Sequence, residues 1–288
     1  MDLEQMRKST EQLMKWSDLT FCPIGIRFAS CEEEIPEDAI RPYRDRGEKW
    51  AICQLIQKAR HEHVTYAMTQ EDHWCWYPQI TFGHVNVEKG NYDYDVLINN
   101  VGIPDKEREI RFVDKIPHLE YGTNYATVLG PLDSIGFVPD IILIYCDNAQ
   151  LLRRLIGCIK YMDGDMLPTE LDYVNSCCWS MIPTHQTRKF RVTIPDPGEY
   201  ERAEIGASEL ILSVPAERYV ELCEVNEMKE RRFAKRPGLH TGLVPYFARA
   251  QFMDNLYKYW GLEHGREISW TEEQRGYDNN SYSGKEVK

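Results

Sequence analysis

Side chains of reactive types fall close together in the segment Glu71-Asp72-His73-Trp74-Cys75. A carboxylate beside an imidazole can orient the ring, and a neighbouring thiol becomes a nucleophile or metal ligand when its pKa is lowered. The segment therefore predicts an active-site or cofactor loop in which Asp72 or His73 transfers protons and Cys75 reacts. The alternative interpretation is a helix N-terminus, where acidic residues favour the helix dipole and the tryptophans pack.

Three further cysteines could join Cys75 if the fold brings them together: Cys53, Cys177 and Cys178. The chain has nine cysteines, and neither a short even disulfide framework nor a close CxxC pair is visible. Thiolates are soft anionic ligands that suit iron–sulfur clusters and other metals. Spacing alone leaves a shared metal site and ordinary burial of small apolar side chains both open.

Aromatic residues surround Cys75 in the sequence, namely Trp74, Trp76 and Tyr77. Such rings can form the walls of a pocket for a planar substrate. The alternative is that they pack in an ordinary hydrophobic core.

Several classes of protein are excluded or disfavoured by what the sequence lacks. It contains no GxGxxG, GxxxxGK[ST] or GxSxG motif, which argues against a standard Rossmann dehydrogenase, a P-loop ATPase and a common serine hydrolase. The formal net charge is −12, so nucleic acid is not an expected partner. No apolar run approaches the length of a membrane span and the N-terminus lacks a signal-peptide pattern, so we expect no membrane partner and a cytoplasmic location.

The elements that must position these residues alternate between helical and strand patterns. The clearest unit is an apolar strand over 141–146, followed by a capping Asp147 or Asn148 and a helix over 149–161. Because this strand is apolar on both faces, we expect it in the centre of a sheet. Further helices are predicted over 3–17, 50–59, 104–115, 169–182 and 215–233, and strands over 23–28, 64–68, 125–129, 189–194 and 209–214.

These patterns predict an α/β or α+β fold, a mixed β-sheet flanked by helices, with a helical C-terminal extension. We expect the core domain to cover residues 1–233 and the extension to cover 234–288, with a polar, frayed end. An aromatic stripe within 235–262 predicts that the extension docks on the core or on a second subunit of a homo-oligomer. Residues 30–48 are interpreted as a surface loop.

Several motifs follow one another over about residues 5–225: Pro23–Phe28, Ile52-Cys53-Gln54, Thr69–Cys75, Asp140–Leu155, Cys177-Cys178, Gly198-Glu199-Tyr200-Glu201-Arg202 and Pro215–Arg218. Taken in this order, they resemble the domain-of-unknown-function 169 family, which is typical of anaerobic bacteria and archaea.

The resemblance implies a thiolate-bound centre at Cys53, Cys75 and either Cys177 or Cys178. Two departures from the family pattern stand out. Trp76-Tyr77-Pro78 replaces small residues after the second cysteine, and Asp196-Pro197-Gly198-Glu199 lacks a cysteine that family members often carry. A pocket remodelled by aromatic side chains is therefore expected.

Three functions follow from these observations. The first is an enzyme of anaerobic metabolism acting on a small anionic or aromatic molecule, with an iron–sulfur cluster or other metal on the cysteines and Arg202 holding the substrate's anionic group. The second is a cofactorless lyase, hydrolase or isomerase that uses Asp72, His73 and Cys75 directly. The third is a non-catalytic protein that binds a small molecule or cofactor.

Overall fold

A computed structural model describes residues 2–17, 19–88, 95–96, 102–169, 171–172, 175–233 and 251–261. The helices are α1 (Leu3–Ser17), α2 (Pro42–Arg46), α3 (Ile52–Glu62), α4 (Trp76–Thr81), α5 (Lys106–Val113), α6 (Ala149–Asp163), α7 (Ser176–Thr187), α8 (Pro197–Arg202), α9 (Ala216–Phe233) and α10 (Gln251–Tyr259). The strands are β1 (Ile24–Ala29), β2 (Tyr66–Thr69), β3 (Ala126–Pro131), β4 (Ile141–Cys146), β5 (Arg191–Thr193) and β6 (Leu210–Pro215).

The strands form one six-stranded sheet in the order β2-β3-β1-β4-β6-β5. Every pair of these strands is antiparallel, and the register of the central pairs places Ile26 opposite Leu129 in β3 and opposite Ile141 in β4. The parallel contacts of the described residues are isolated bridges, including one between Trp50 and His73. The architecture is an α+β fold, one of the two classes that the sequence predicts, and its sheet is antiparallel rather than mixed.

Helices cover both faces of the sheet, and this explains the continuous apolar run of β4. Alternate residues of a strand point to opposite faces. Ile142 and Ile144 therefore join the core beneath α1, α6 and α9, whereas Ile141 and Leu143 join the core beneath α3 and α7. The strand is buried along its whole length, which confirms its predicted central position.

The strand–cap–helix unit is confirmed in detail. The side chain of Asn148 accepts a 2.8 Å hydrogen bond from the backbone N–H of Leu151, and α6 ends at Gly164 in the left-handed conformation. The predicted loop over 30–48 contains the short helix α2, which ends at the left-handed Gly47. The helix predicted from 169 begins only at Ser176, because Asn175 adopts a positive φ of 58° that cannot continue a helix.

The chain divides into two compact units, residues 1–234 and residues 235–288. The second unit contributes α10 to the described residues, and there the rings of Tyr257 and Trp260 lie edge to face, 5.7 Å apart. The predicted polar end beyond 271 lies outside the described residues. No helix that the structure describes is long and apolar enough to cross a membrane.

Candidate active site

The start of α3 and the segment that carries Cys75 are joined by backbone hydrogen bonds. The N–H of Trp50 donates to the carbonyl of Asp72 at 2.8 Å, and the N–H of Trp74 donates to the carbonyl of Trp50 at 3.3 Å. The Gln54 side-chain oxygen also accepts a 3.0 Å hydrogen bond from the Trp74 indole. These contacts bring Cys53, the second residue of α3, to the same region as Cys75, which precedes α4.

A second set of contacts joins α7 to α8. The Ser176 N–H donates to one carboxylate oxygen of Asp196 at 3.1 Å, and the N–H of Asp196 donates to the Ser176 hydroxyl at 3.0 Å. Cys177 and Cys178 follow directly in the first turn of α7. The Gln54 side-chain amide also donates to the carbonyl of Arg202 at 3.1 Å, so α3 and α8 are held together as well.

The four cysteines differ in their access to solvent. Cys53, Cys177 and Cys178 are buried, whereas Cys75 is partly exposed and packs against a small cluster of Ala51, Cys53 and Ala203. The sulfurs of Cys177 and Cys178 are 3.9 Å apart, and the Thr81 hydroxyl lies 2.9 Å from the Cys178 sulfur. Cys75 is therefore the thiol of this set that a molecule from solvent reaches first.

Burial and nearby charge shift the pKa of these thiols. Burial raises the pKa of Cys53 strongly, and the carboxylates of Glu199 and Asp196 add to that shift. Burial also raises the pKa of Cys75, but a backbone hydrogen bond from Tyr77 and the positive charge of Arg202 act in the opposite direction. Cys75 thus has stabilising partners for a thiolate.

A buried carboxyl group lies beside the thiols. Glu199 is 1% exposed, and one of its carboxylate oxygens accepts a 2.7 Å hydrogen bond from the Ser176 hydroxyl. The other oxygen has no hydrogen-bond partner among the described residues. Burial raises the pKa of Glu199 to about 8, although the bond from Ser176 opposes the shift. This carboxyl group is therefore largely protonated at neutral pH.

Arg202 lies at the edge of a groove of about 270 Å³, whose wall also includes Trp50, Gln54, His61, Ala203, the paired Lys58 and Glu62, and Glu204. Its guanidinium group stacks over the Trp74 ring, 5.4 Å from the centroid. It forms no salt bridge with the described residues, so its charge is available to an anion. Ala203 both lines the groove and packs against Cys53 and Cys75, which connects the groove to the thiols.

Asp72 occupies a structural position. Its carboxylate accepts hydrogen bonds from the Tyr43 N–H at 2.8 Å and from the N–H and hydroxyl of Thr69, both at 2.7 Å. A carboxylate with three donors is already satisfied and fastens the turn before His73. The predicted proton-transfer role of Asp72 receives no support from these contacts and stays a prediction.

His73 is buried beside a second histidine that the sequence analysis does not single out. The ring centroids of His73 and His84 are 5.3 Å apart, and neither nitrogen of His73 has a hydrogen-bond partner in the described part of the chain. Burial lowers the pKa of His73 to about 3, and that of His84 to about 4. Both rings are therefore neutral at physiological pH. A proton-transfer role for His73 stays a prediction.

The aromatic residues predicted to bind substrate have different environments. Trp74 and Trp76 are about half exposed, at 45% and 43%, whereas Tyr77 is buried. The rings of Trp76 and Tyr77 pack edge to face, 5.2 Å apart. Trp74 contacts Arg202, which lines the groove, while Tyr77 belongs to the hydrophobic core.

The predicted metal ligands Cys53, Cys75, Cys177 and Cys178 share one region of the fold. Among the residues that the structure describes, however, no group of three or more His, Cys, Asp or Glu side chains is arranged to hold a metal ion. The donor types suit an iron–sulfur cluster, but the geometry does not fit one. We therefore derive no chemistry through a metal, and the metal assignment stays a prediction.

Sequence reasoning missed the polar group formed by Ser176, Asp196 and Glu199. A signal for part of it is present: Asp196 caps α8, Pro197 occupies the first turn, and Glu199 is the third helical residue. This pattern predicts a helix start, but it does not predict that Glu199 turns inward toward Cys53.

A larger cleft of about 610 Å³ lies elsewhere on the same unit. Residues at 80–87 and 113–121 line it, together with Gln186. None of the four cysteines, nor Arg202, lines this cleft. The four cysteines do not line the smaller groove either: Ala203 connects that groove to Cys53 and Cys75, and Thr81 connects the cleft to Cys178.

Comparison with known proteins identifies the family but not an activity. The family model described as "Uncharacterised ArCR", domain of unknown function 169, matches residues 12–225. The chain is also similar to the uncharacterised protein MJ0308 of Methanocaldococcus jannaschii, with 28% identity over 240 residues, which cover 79% of this chain and 96% of the relative. No solved structure matches. The chain belongs to the domain-of-unknown-function 169 family.

Proposed function

We propose that this protein is an enzyme that binds a small anionic molecule beside Arg202 and acts on it through the thiol of Cys75. The observation that carries the proposal is the shared position of Ala203, which lines the groove and also packs against Cys75. An anion held by Arg202 would therefore lie next to the most accessible thiol of the set.

The charges favour this assignment of roles. A thiol reacts as its thiolate, and positive charge stabilises the thiolate. Burial raises the pKa of Cys75, and the positive charge of Arg202 opposes that rise; the same guanidinium forms no salt bridge with the described residues. One cation thus serves two purposes: it attracts the anionic molecule and favours the reactive form of Cys75.

Alkylation by a charged and a neutral reagent of similar size tests the proposal without knowledge of the natural substrate. Iodoacetate carries a carboxylate and iodoacetamide does not. We expect the ratio of their rates at Cys75, measured by peptide mass spectrometry, to exceed the ratio at the partly exposed Cys31 by about fivefold. Arg202→Gln should remove this preference, whereas Arg153→Gln, at an exposed arginine, should leave it unchanged.

Two outcomes would contradict the proposal. In one, Cys75 reacts no faster than the buried cysteines and shows no dependence on Arg202. In the other, protein purified without oxygen contains stoichiometric iron, zinc or sulfide that Cys75→Ser releases, which would show that the thiols serve as metal ligands.

A further inference from the structure

We propose that the larger cleft, of about 610 Å³, is a second binding site and that its ligand is an organic amine, a molecule with an apolar body and a positively charged amino group. The inference is independent of the proposed function, because neither Arg202 nor any of the four candidate cysteines lines this cleft. It assigns to the cleft a ligand of opposite charge to the one proposed for the groove.

The inner wall of the cleft is apolar. Five of its side chains are aliphatic and are buried or partly buried, namely Ile80, Val85, Val113, Ile116 and Leu119. The volume falls within the range of pockets that enclose small organic molecules, and such pockets are mainly apolar with a few polar groups that fix the ligand's orientation. The cleft therefore suits a ligand whose body is apolar.

The charges at the rim favour a cation. Asp114 and Glu120 are exposed carboxylate residues of the lining, and no lysine or arginine is among the described residues that line the cleft. The Glu120 carboxylate forms no hydrogen bond or salt bridge with the described residues, so it is available to a ligand. The imidazole of His118 also belongs to the lining, and its Nδ1 lies 3.2 Å from the Ile116 carbonyl oxygen.

Two further features attract positive charge to the same cleft. Val113 and Asp114 lie at the C-terminal end of α5, where the partial negative charge of the helix dipole favours a cation. Tyr121 also lines the cleft and is 59% exposed, and the face of an aromatic ring attracts an ammonium group. The helix end, the aromatic ring and the Glu120 carboxylate thus all favour a ligand of the same charge.

Backbone contacts fix the wall that carries Glu120. The N–H of Leu119 donates to the carbonyl of Thr81 at 2.8 Å, and the N–H of Gly122 donates to the carbonyl of Gly83 at 2.9 Å. Gly83 has a φ of 73°, and a Cβ atom at this position would lie 2.6 Å from the Glu120 carbonyl oxygen. The two chain segments are therefore in close contact, and a wall that is already ordered reduces the entropic cost of binding.

The test uses three probes that share an indole ring and a two-carbon side chain but differ in charge. Tryptamine is a cation at neutral pH, tryptophol is neutral and indole-3-propionate is an anion. Binding to the full-length protein is measured by isothermal titration calorimetry at low and high salt. We expect tryptamine to bind about fivefold more tightly than tryptophol, and the preference to shrink at high salt because the rim carboxylates are exposed.

Variants assign the preference to the cleft. Glu120→Gln should weaken tryptamine binding by about threefold and leave tryptophol binding unchanged, and Glu120→Lys should strengthen the binding of indole-3-propionate. Glu37→Gln, at an exposed glutamate outside the cleft, is the matched control and should change nothing. Val85→Trp, which places a large ring in the cleft, should weaken tryptamine and tryptophol alike.

Several results would overturn the inference. They are the absence of binding by all three probes, equal affinities for tryptamine and tryptophol, and a tryptamine affinity that Glu120→Gln does not change. Tryptamine binding that Arg202→Gln weakens would belong to the groove and would also overturn the second site. The comparison of the three probes is made on the wild type, so this result does not depend on whether a variant folds.

Discussion

The hydroxyl of Ser176 donates a hydrogen bond to the carboxyl group of Glu199 at 2.7 Å in a fully buried setting. Removal of a buried partner leaves the remaining group unsatisfied. We expect Ser176→Ala to lower the free energy of unfolding by on the order of 1 to 3 kcal/mol in urea denaturation. Ser208→Ala, which removes an exposed hydroxyl, is the control and should have a much smaller effect. If both variants lower the free energy of unfolding equally, the buried hydrogen bond contributes no more to stability than the exposed one.

Glu199 should make stability depend on pH. In the unfolded chain its carboxyl group ionises near its ordinary pKa of 4.5, whereas burial raises the pKa in the folded protein to about 8. Between these values the unfolded state loses the proton first, so the folded state becomes less stable as pH rises. Glu199→Gln should therefore gain stability relative to the wild type between pH 5 and 8, by on the order of 3 kcal/mol. A difference that is independent of pH would contradict this assignment.

The buried histidine pair should make the folded state less stable as pH falls below 6.5. His73 and His84 have pKa values lowered to about 3 and about 4, while unfolded histidine titrates near 6.5. Below pH 6.5 the unfolded state binds protons that the folded state does not, so stability falls as pH falls toward 4. At pH 5 each of the two histidines should lower the free energy of unfolding by about 2 kcal/mol relative to pH 7. His73→Phe should reduce the loss between pH 7 and pH 5, whereas exchange of the exposed His61 for Gln should not.

Asp72 offers a test between a structural and a catalytic role. Asp72→Ala removes the acceptor of three hydrogen bonds from Tyr43 and Thr69, so we expect a loss of about 2 to 4 kcal/mol in thermal or urea unfolding. Under conditions where the variant stays folded, the ratio of the iodoacetate rate to the iodoacetamide rate should still be higher at Cys75 than at Cys31. A loss of that preference without a loss of stability would favour direct participation of Asp72 in the chemistry.

Gly25 lies where three side chains leave no space for a Cβ atom. An added Cβ would meet the side chain of Ile135, lie 2.9 Å from the Leu132 side chain and lie 3.2 Å from that of Pro139. Gly25→Ala should destabilise the protein by roughly 1 to 3 kcal/mol through overpacking. Gly136→Ala, at a glycine with nothing within 4 Å of the added atom, is the matched control. A shift in midpoint temperature for Gly25→Ala alone would support the packing argument.

Local features were predictable where neighbouring residues decide the structure. The apolar run of β4 predicts a buried strand, and Asn148 predicts the start of α6, because both signals act within a few residues along the chain. The boundary of α7 was missed, since the positive φ of Asn175 is not encoded by the helical pattern around it. The contact between Asp72 and Tyr43 could not be predicted from a local pattern, because the two residues lie 29 positions apart in the sequence.

The sequence by itself determined the alternation of helices and strands, the central position of β4 and the family to which the chain belongs, because each depends on residue types in short stretches. Only the tertiary structure decided that Cys53, Cys75 and Glu199 share one region. Their approach requires Trp50 to hydrogen-bond with the segment at Asp72, and Ser176 to hydrogen-bond with Asp196. Contacts between such distant positions arise from the packing of helices on the sheet, and no spacing along the chain encodes them.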